Sequence, residues 1–293
     1  MICVTGSGGT VGSEVVRQLR VANAAFRAAY FSKNKVDAAR EKGIDAVLID
    51  YNDAETLRSA FAGCDKLFLL GPNAPNQAEL EINAVDAAQA AGVKHIVKLS
   101  VMRADEEEYD FGRIHREVEK AIEASGLEWT FLRPNSFMQN AVTYMSQTIK
   151  AQSAFYSAAE GARIGHVDVR DIAAVAVKAL TEPGHEGKVY TLSGPEAFTY
   201  DDLAAKLSHV LGRKISHMNI PPADLKGAML AEGIPEVFID RLLDLERYYR
   251  EGKAAIETSD IKQVTGRDPR TFADYARETA ATGVWDKEAG TGA

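Results

Sequence analysis

The chain has 293 residues, 46% of them apolar, and a formal net charge of −8, enough for one large α/β domain or two lobes sharing a core. The acidic balance, without any Lys/Arg run, offers no electrostatic footprint for nucleic acid, and two cysteines with no Cys-x-x-Cys or Cys/His cluster argue against a disulfide framework or a metal site. No apolar stretch is long enough to span a bilayer and no signal peptide is recognisable, so the expected setting is cytoplasmic and reducing, with a small molecule as partner and neither nucleic acid nor membrane.

In chain order, Ile2-Cys3-Val4 reads as a first strand, followed by a glycine cluster and by Val11, Val15, Val16 and Leu19 at helical spacing. Residues 25–31, 46–49, 67–70, 95–99 and 129–132 read as further strands: short, mostly apolar throughout and bounded by turn residues, as buried parallel strands are. Between them Leu80, Val85 and the alanines of 87–91 make a helix that Gly92 closes. Such alternation predicts right-handed crossovers and a doubly wound parallel sheet of Rossmann type. After Arg133 the rhythm changes. Asp168 caps a helix over 169–180, residues 189–192 return to the sheet, and from Tyr200 helical segments are broken by Gly212, Pro221-Pro222, Gly233 and Pro235. The expected division is a cofactor-binding core over 1–132, completed by about 165–193, and a smaller, mostly helical substrate lobe from 133–164 and 194–293. The cleft between them is the default ligand site. The tail 288–293 is expected to fray.

The cluster Gly6-Ser7-Gly8-Gly9-Thr10-Val11-Gly12 is weak as a motif alone, but here it follows a strand and opens a helix in the first βαβ unit. Gly6 permits the tight turn, Gly9 lets backbone approach a pyrophosphate, and Gly12 permits close helix–strand packing, with the helix N-terminus facing the anion. The spacing Gly-x-x-Gly-x-x-Gly departs from the common dinucleotide fingerprint. At the end of the second strand stands Tyr30-Phe31-Ser32-Lys33-Asn34-Lys35, with no carboxylate where an NAD site carries one. Ser32, Lys33 and Lys35 suit a 2′-phosphate, although Lys35 reads equally as a solvated charge. NADP(H) is therefore expected in preference to NAD(H). Asp50, after the third strand, falls near the adenine edge or serves as a helix N-terminal acid, and Gly71-Pro72 passes under the pyrophosphate side.

Several stretches together resemble the NmrA-like branch of the atypical short-chain dehydrogenase/reductase superfamily, over nearly the whole chain. They are Val4-Thr5-Gly6 through Gly12, Leu69-Leu70-Gly71-Pro72, Val97-Lys98-Leu99-Ser100, His115-Arg116-Glu117-Val118-Glu119, Arg133-Pro134-Asn135-Ser136-Phe137 and His166-Val167-Asp168-Val169-Arg170-Asp171. The resemblance implies that the glycine loop (Gly6, Ser7, Gly9, Thr10, Val11, Gly12), Phe31, Ser32, Lys33, Leu70, Gly71, Pro72, Ser100, Asn135 and Phe137 contact the cofactor. It also implies that the nicotinamide lies over the fifth and sixth strand ends, with substrate beneath the C-terminal lobe. Members of this family are quinone, triphenylmethane-dye and azo-dye reductases, or NADP-binding regulators that perform no chemistry.

In the wider superfamily a Tyr-x-x-x-Lys pair protonates the acceptor. Counting back from Gly126, those two positions fall on Phe111 and His115, so the usual phenol is missing. Tyr109 and Arg113 reproduce a similar spacing two residues out of place. A quinone or dye needs the acid less than a simple carbonyl does, because the anion left by hydride addition is delocalised. His115 is the catalytic candidate, expected to bind the ribose, stabilise that anion or deliver a proton near neutral pH, with a structural helix histidine as the plainer reading. Phe111, Phe137, Met138 and Tyr144 are candidates to line a flat aromatic pocket, core packing being the alternative. Arg133 is expected to anchor the loop after its strand, and Asp105-Glu106-Glu107-Glu108 to form a solvated loop face near the substrate mouth. The expected function is an NADPH-dependent reductase transferring hydride to a quinone, dye or similar conjugated electrophile, as monomer or homodimer. The alternative is a non-catalytic NADP(H) sensor acting through a protein partner.

Overall fold

The computed structural model describes residues 1–287; the tail expected to fray, 288–293, lies outside them. The first half alternates strictly: β1 Ile2–Val4, α1 Thr10–Val21, β2 Phe26–Tyr30, α2 Lys33–Glu41, β3 Ala46–Leu48, α3 Ala54–Phe61, β4 Lys66–Leu69, α4 Gln77–Ala90, β5 His95–Leu99, α5 Asp110–Ala124 and β6 Glu128–Pro134. Then come α6 Asn140–Thr143, α7 Ser146–Gln152, β7 Ala154–Ser157, α8 Val169–Thr181, β8 Lys188–Leu192, α9 Tyr200–Leu211 and β9 Ser216–Asn219. The chain closes with α10 Pro222–Ala231, α11 Glu236–Arg250, α12 Asp260–Thr265 and α13 Phe272–Ala280.

Seven strands form one parallel sheet in the order β3-β2-β1-β4-β5-β6-β8. The winding reverses between β1 and β4, which opens a crevice at the carboxyl ends of those two strands. Alternate residues of each strand feed two cores. Val4, Phe68, Val97, Leu99 and Leu132 pack with α1 and α8, while Cys3, Leu67, Leu69, Ile96 and Phe131 pack with α3, α4 and α5. Burial on both faces explains why the centres of these strands are mostly apolar. The doubly wound fold expected from the sequence is the fold observed, with strand ends shifted by one or two residues.

The third core belongs to the C-terminal helices and contains Met138, Phe155, Tyr200, Tyr248, Phe272 and Trp285. It also holds a two-stranded parallel sheet, β7 with β9, for which the sequence carries no clear signal. Each of the two strands is four residues long, too short for periodicity to register.

Ionic groups hold α5 against the sheet. Glu119, fully buried, accepts from the Arg133 guanidinium of β6 at 3.0 and 2.7 Å and from the Ser100 hydroxyl at 2.6 Å. Arg133 reaches on to Asp105 at 2.6 Å. The acidic run is exposed, as the sequence reading has it, and its carboxylates are engaged in surface ion pairs. Glu106 pairs with Arg103, Glu107 with Lys120 and Glu108 with Lys253, and Asp110 N–H donates to Asp244 of α11 at 2.7 Å. This segment clasps α11 to the sheet domain.

Two stability predictions follow from these buried acids. Glu119→Ala leaves the buried Arg133 guanidinium with only the exposed Asp105 as partner and is expected to lower unfolding free energy by about 3 kcal/mol, measured by urea denaturation. Glu246 of α11 is buried and accepts from Ala158 N–H at 2.8 Å; burial pushes its carboxyl up to about 7. Its folded pKa exceeds its unfolded value, so the native state gains stability in acid and loses it as pH rises from about 4.5 through about 7. Glu246→Gln should therefore raise the melting temperature at about pH 8 and do little near pH 4.5.

Candidate cofactor and active site

Gly6 turns the chain out of β1 at φ +63°, where a Cβ would lie 2.9 Å from the Leu70 side chain. Gly9 N–H donates to the Gly6 carbonyl at 2.9 Å, and a Cβ on Gly12 would fall 2.1 Å from that same carbonyl oxygen. Helix α1 therefore starts directly against the end of β1. Gly9 is its N-cap and contributes no capping side chain. A Cβ there would meet only the Gly6 carbonyl oxygen, at 3.4 Å, so the fold itself leaves room for one. A cradle of free backbone donors at a positive helix end, kept clear of side chains, fits a pyrophosphate.

Ser7 contributes only backbone to this cradle. Its hydroxyl is buried and donates to the Val4 carbonyl at 2.8 Å. Thr10 is exposed at the helix start, whereas Val11 and Gly12 are buried. Thr5 is a residue sequence reasoning missed. Its Oγ1 accepts from Leu70 N–H at 2.9 Å and donates to the Phe68 carbonyl at 3.0 Å, locking the end of β4 beside the cradle. Tyr51 donates to the Leu70 carbonyl at 2.8 Å. Leu70, Gly71 and Pro72 thus border the glycine loop.

After β2, Phe31 is 77% exposed, Ser32 begins α2 with its hydroxyl uncommitted to the helix, and Lys33 faces solvent. Lys35 lies across the loop instead, its Nζ donating to the Gly8 carbonyl at 3.1 Å. Of the two lysines weighed from the sequence, Lys35 is the one brought to the cradle, two residues beyond Lys33 and so on a different face of α2. Asp50 closes a local turn, accepting from Asn52 N–H at 2.9 Å, and Asp53, not Asp50, caps α3.

At the β5 and β6 ends several expected ligands are committed elsewhere. The Ser100 hydroxyl is spent on Glu119. Asn135 is buried, donating from Nδ2 to the Ala254 carbonyl at 2.9 Å and accepting Ser136 N–H at Oδ1; its amide joins β6 to the C-terminal segment rather than opening to a ligand. Met138 is 1% exposed within the C-terminal core, so it is packing and not pocket wall. Phe111 and Phe137 are half-buried, and Tyr144 is 74% exposed where α6 meets α7. Tyr109 is no displaced phenol acid. It is buried, hydrogen-bonded to the Met102 carbonyl and stacked on Tyr248 at 4.4 Å, and its pKa is raised by burial. Asp168 caps α8 through Arg170 N–H at 2.8 Å, as its position in the sequence suggests.

His115 is 7% exposed and faces a buried ion pair absent from the sequence reading: Lys98 of β5 and Glu81 of α4, both fully buried, 2.5 Å apart. His115 Nδ1 lies 3.2 Å from Lys98 Nζ. Glu81 also accepts from Gln77 at 2.9 Å, and its Cγ would be 2.3 Å from a Cβ on Gly71, so the pair packs directly against the backbone of Gly71. Burial first, and the Lys98 charge second, hold the His115 pKa well below its ordinary value. Both effects favour the neutral imidazole and so weigh against proton delivery from a protonated His115 near neutral pH. A lysine inside the apolar run of β5 was the available signal for the pair.

Arg241 of α11, 8% exposed, donates to the Ala74 and Pro75 carbonyls at 3.0 and 2.7 Å, tying the loop beyond Pro72 to the C-terminal helices. Among the described residues no helix is long and apolar enough to cross a membrane.

Residues 6–183 match the family model described as NAD(P)H-binding. The NAD(P)H azoreductase of Xenophilus azovorans is 36% identical over 96% of this chain and 98% of its own length. The Escherichia coli NADPH-dependent quinone oxidoreductase, solved with NADPH, superposes with a TM-score of 0.87 at 30% identity, covering 96% of this chain and all of that one. The triphenylmethane reductase of Citrobacter sp., solved with NADP(H), gives 0.84 at 28% identity, with coverages of 95% and 99%. An oxidoreductase of the same build, the chain belongs to the NAD(P)H-binding family, in its NmrA-like branch of the atypical short-chain dehydrogenase/reductases.

Proposed function

We propose that the chain is an NADPH-dependent reductase that passes hydride to a quinone, an azo or cationic dye, or another conjugated electrophile. The observation that carries the cofactor reading is Lys35 folded onto the glycine loop beside an uncommitted Ser32, with no carboxylate at the end of β2. A cation there stabilises a 2′-phosphate, and nothing repels one. The first-turn N–H groups of α1 take the pyrophosphate, with Gly9 leaving room for it, and Phe31, Leu70, Gly71 and Pro72 border the nucleotide.

When bound, NADPH supplies the hydride. What the chain adds is positioning and a site poor in proton donors. Phe111 replaces the phenol, Tyr109 is locked away, and His115 is neutral. An isolated carbonyl would develop an alkoxide with no acid nearby, whereas a quinone or extended dye spreads the charge over its own framework and takes its proton from water. Phe111, Phe137 and Tyr144 offer aromatic surface for such a flat acceptor. The azoreductase, quinone reductase and dye reductase relatives support this class. Two free buried cysteines suit a reducing, cytoplasmic compartment.

The same lack of an acid also favours a second reading, an NADP(H) sensor without turnover. Initial rates with NADPH and NADH across quinones and azo dyes, alongside binding of both nucleotides, decide between them. Nucleotide bound tightly with no acceptor reduced leaves the sensor. For the reductase, Lys35→Ala should raise the NADPH KM at least about 10-fold while changing the NADH KM less than about 3-fold. Equal losses for both nucleotides would remove Lys35 from 2′-phosphate recognition.

A further inference from the structure

The Lys98 ammonium donates to the Leu99 carbonyl, pairs with a Glu81 carboxylate oxygen at 2.5 Å, and lies 3.2 Å from His115 Nδ1. An ammonium has no lone pair to offer, so Nδ1 must be the acceptor and the imidazole proton must sit on Nε2. Nε2 has no protein partner among the described residues, yet it is not among their sealed, unpartnered side-chain atoms. The other charges around His115 do not compete. Glu119, one turn along α5, is spent on Arg133 and Ser100, and Arg113 is paired with Asp110 and with Asp244 of α11.

We propose that Lys98 and Glu81 are positioning residues that hold His115 as a neutral Nε2–H donor, aimed at the acceptor atom that gains negative charge as hydride arrives. The role rests on the reductase reading. The acceptor gains two electrons and one hydrogen as hydride from NADPH, which leaves as NADP⁺, and then a proton from water. His115 keeps its own proton throughout and contributes a hydrogen bond that strengthens with the developing charge. Glu81 balances the ammonium, so that a buried charge next to the nicotinamide edge is not left uncompensated. A lysine alone at this place would favour a bound anion over an acceptor, whereas the closed pair presents only the imidazole N–H.

Three variants and one spectrum test this in the full-length protein with NADPH bound or turning over. His115→Phe should lower kcat on a benzoquinone at least about 30-fold with NADPH affinity within about 3-fold. His115→Gln, which restores an N–H donor but cannot be an acid, should recover at least about 5-fold of the kcat lost in His115→Phe. In ¹⁵N-histidine spectra His115 should show the Nε2–H tautomer and no titration between about pH 5.5 and 8. Lys98→Met combined with Glu81→Gln removes both charges at once, which buried pairs tolerate. It should bind NADPH normally, lose the tautomer preference and drop kcat about 10-fold. Parent-like kcat in His115→Phe, or an Nδ1–H tautomer in the parent protein, overturns the proposal while leaving the reductase reading intact. A parent protein that reduces no acceptor overturns that reading, and the donor role falls with it.

Discussion

Everything at the nucleotide site depends on how closely α1 approaches the end of β1. The Gly6 carbonyl occupies the space a side chain at position 12 would need, so the helix can begin only because that side chain is missing. With the helix seated there, its free N–H groups and the positive end of its dipole open into the crevice where the sheet order reverses. Thr5 then ties β1 to the end of β4 through Leu70, which brings the Leu70-Gly71-Pro72 edge into the same crevice. One steric vacancy and one hydroxyl thus define two sides of the site.

The other side is set by charge rather than by space. Along α5, His115 and Glu119 stand one turn apart and meet β5 at Lys98 and Ser100, two residues apart on one face of that strand. Each rung is closed by a group from a neighbouring element, Glu81 from α4 and Arg133 from β6. Buried ion pairs add little net stability compared with apolar packing, but once formed they tolerate no slippage, because a displaced partner leaves a bare charge in low dielectric. In a superfamily that ordinarily protonates its acceptor from a phenol on this helix, the chain has instead a helix locked in register and a neutral imidazole.

Legibility from the sequence followed the range of the interactions involved. The strands of the sheet, the order of strand and helix, Gly6-Gly9-Gly12 and the Asp168 cap were all readable, since each depends on residues within a turn or on a local period. Ser7, Ser100, Asn135 and Met138 lie in motif-bearing stretches, yet their side chains are spent on the fold: on Val4, Glu119, Ala254 and the C-terminal core. A motif specifies where backbone passes and says little about which way a side chain turns. The acidic run 105–108 is solvated as its composition suggests, but its four ion-pair partners, Arg133, Arg103, Lys120 and Lys253, could not be read from it because most are distant in sequence. The short strands β7 and β9 left no periodic trace.

By itself the sequence determined a doubly wound α/β fold, a glycine cradle for a dinucleotide and the loss of the usual phenol at Phe111, because glycine positions, strand burial and residue identity are local properties. Tertiary structure alone decided that Lys35 rather than Lys33 meets the glycine loop, and that His115 faces a buried Lys98–Glu81 pair and is neutral. Protonation state and charge pairing depend on what burial and distant segments bring within a few ångströms, and no spacing along one chain encodes that.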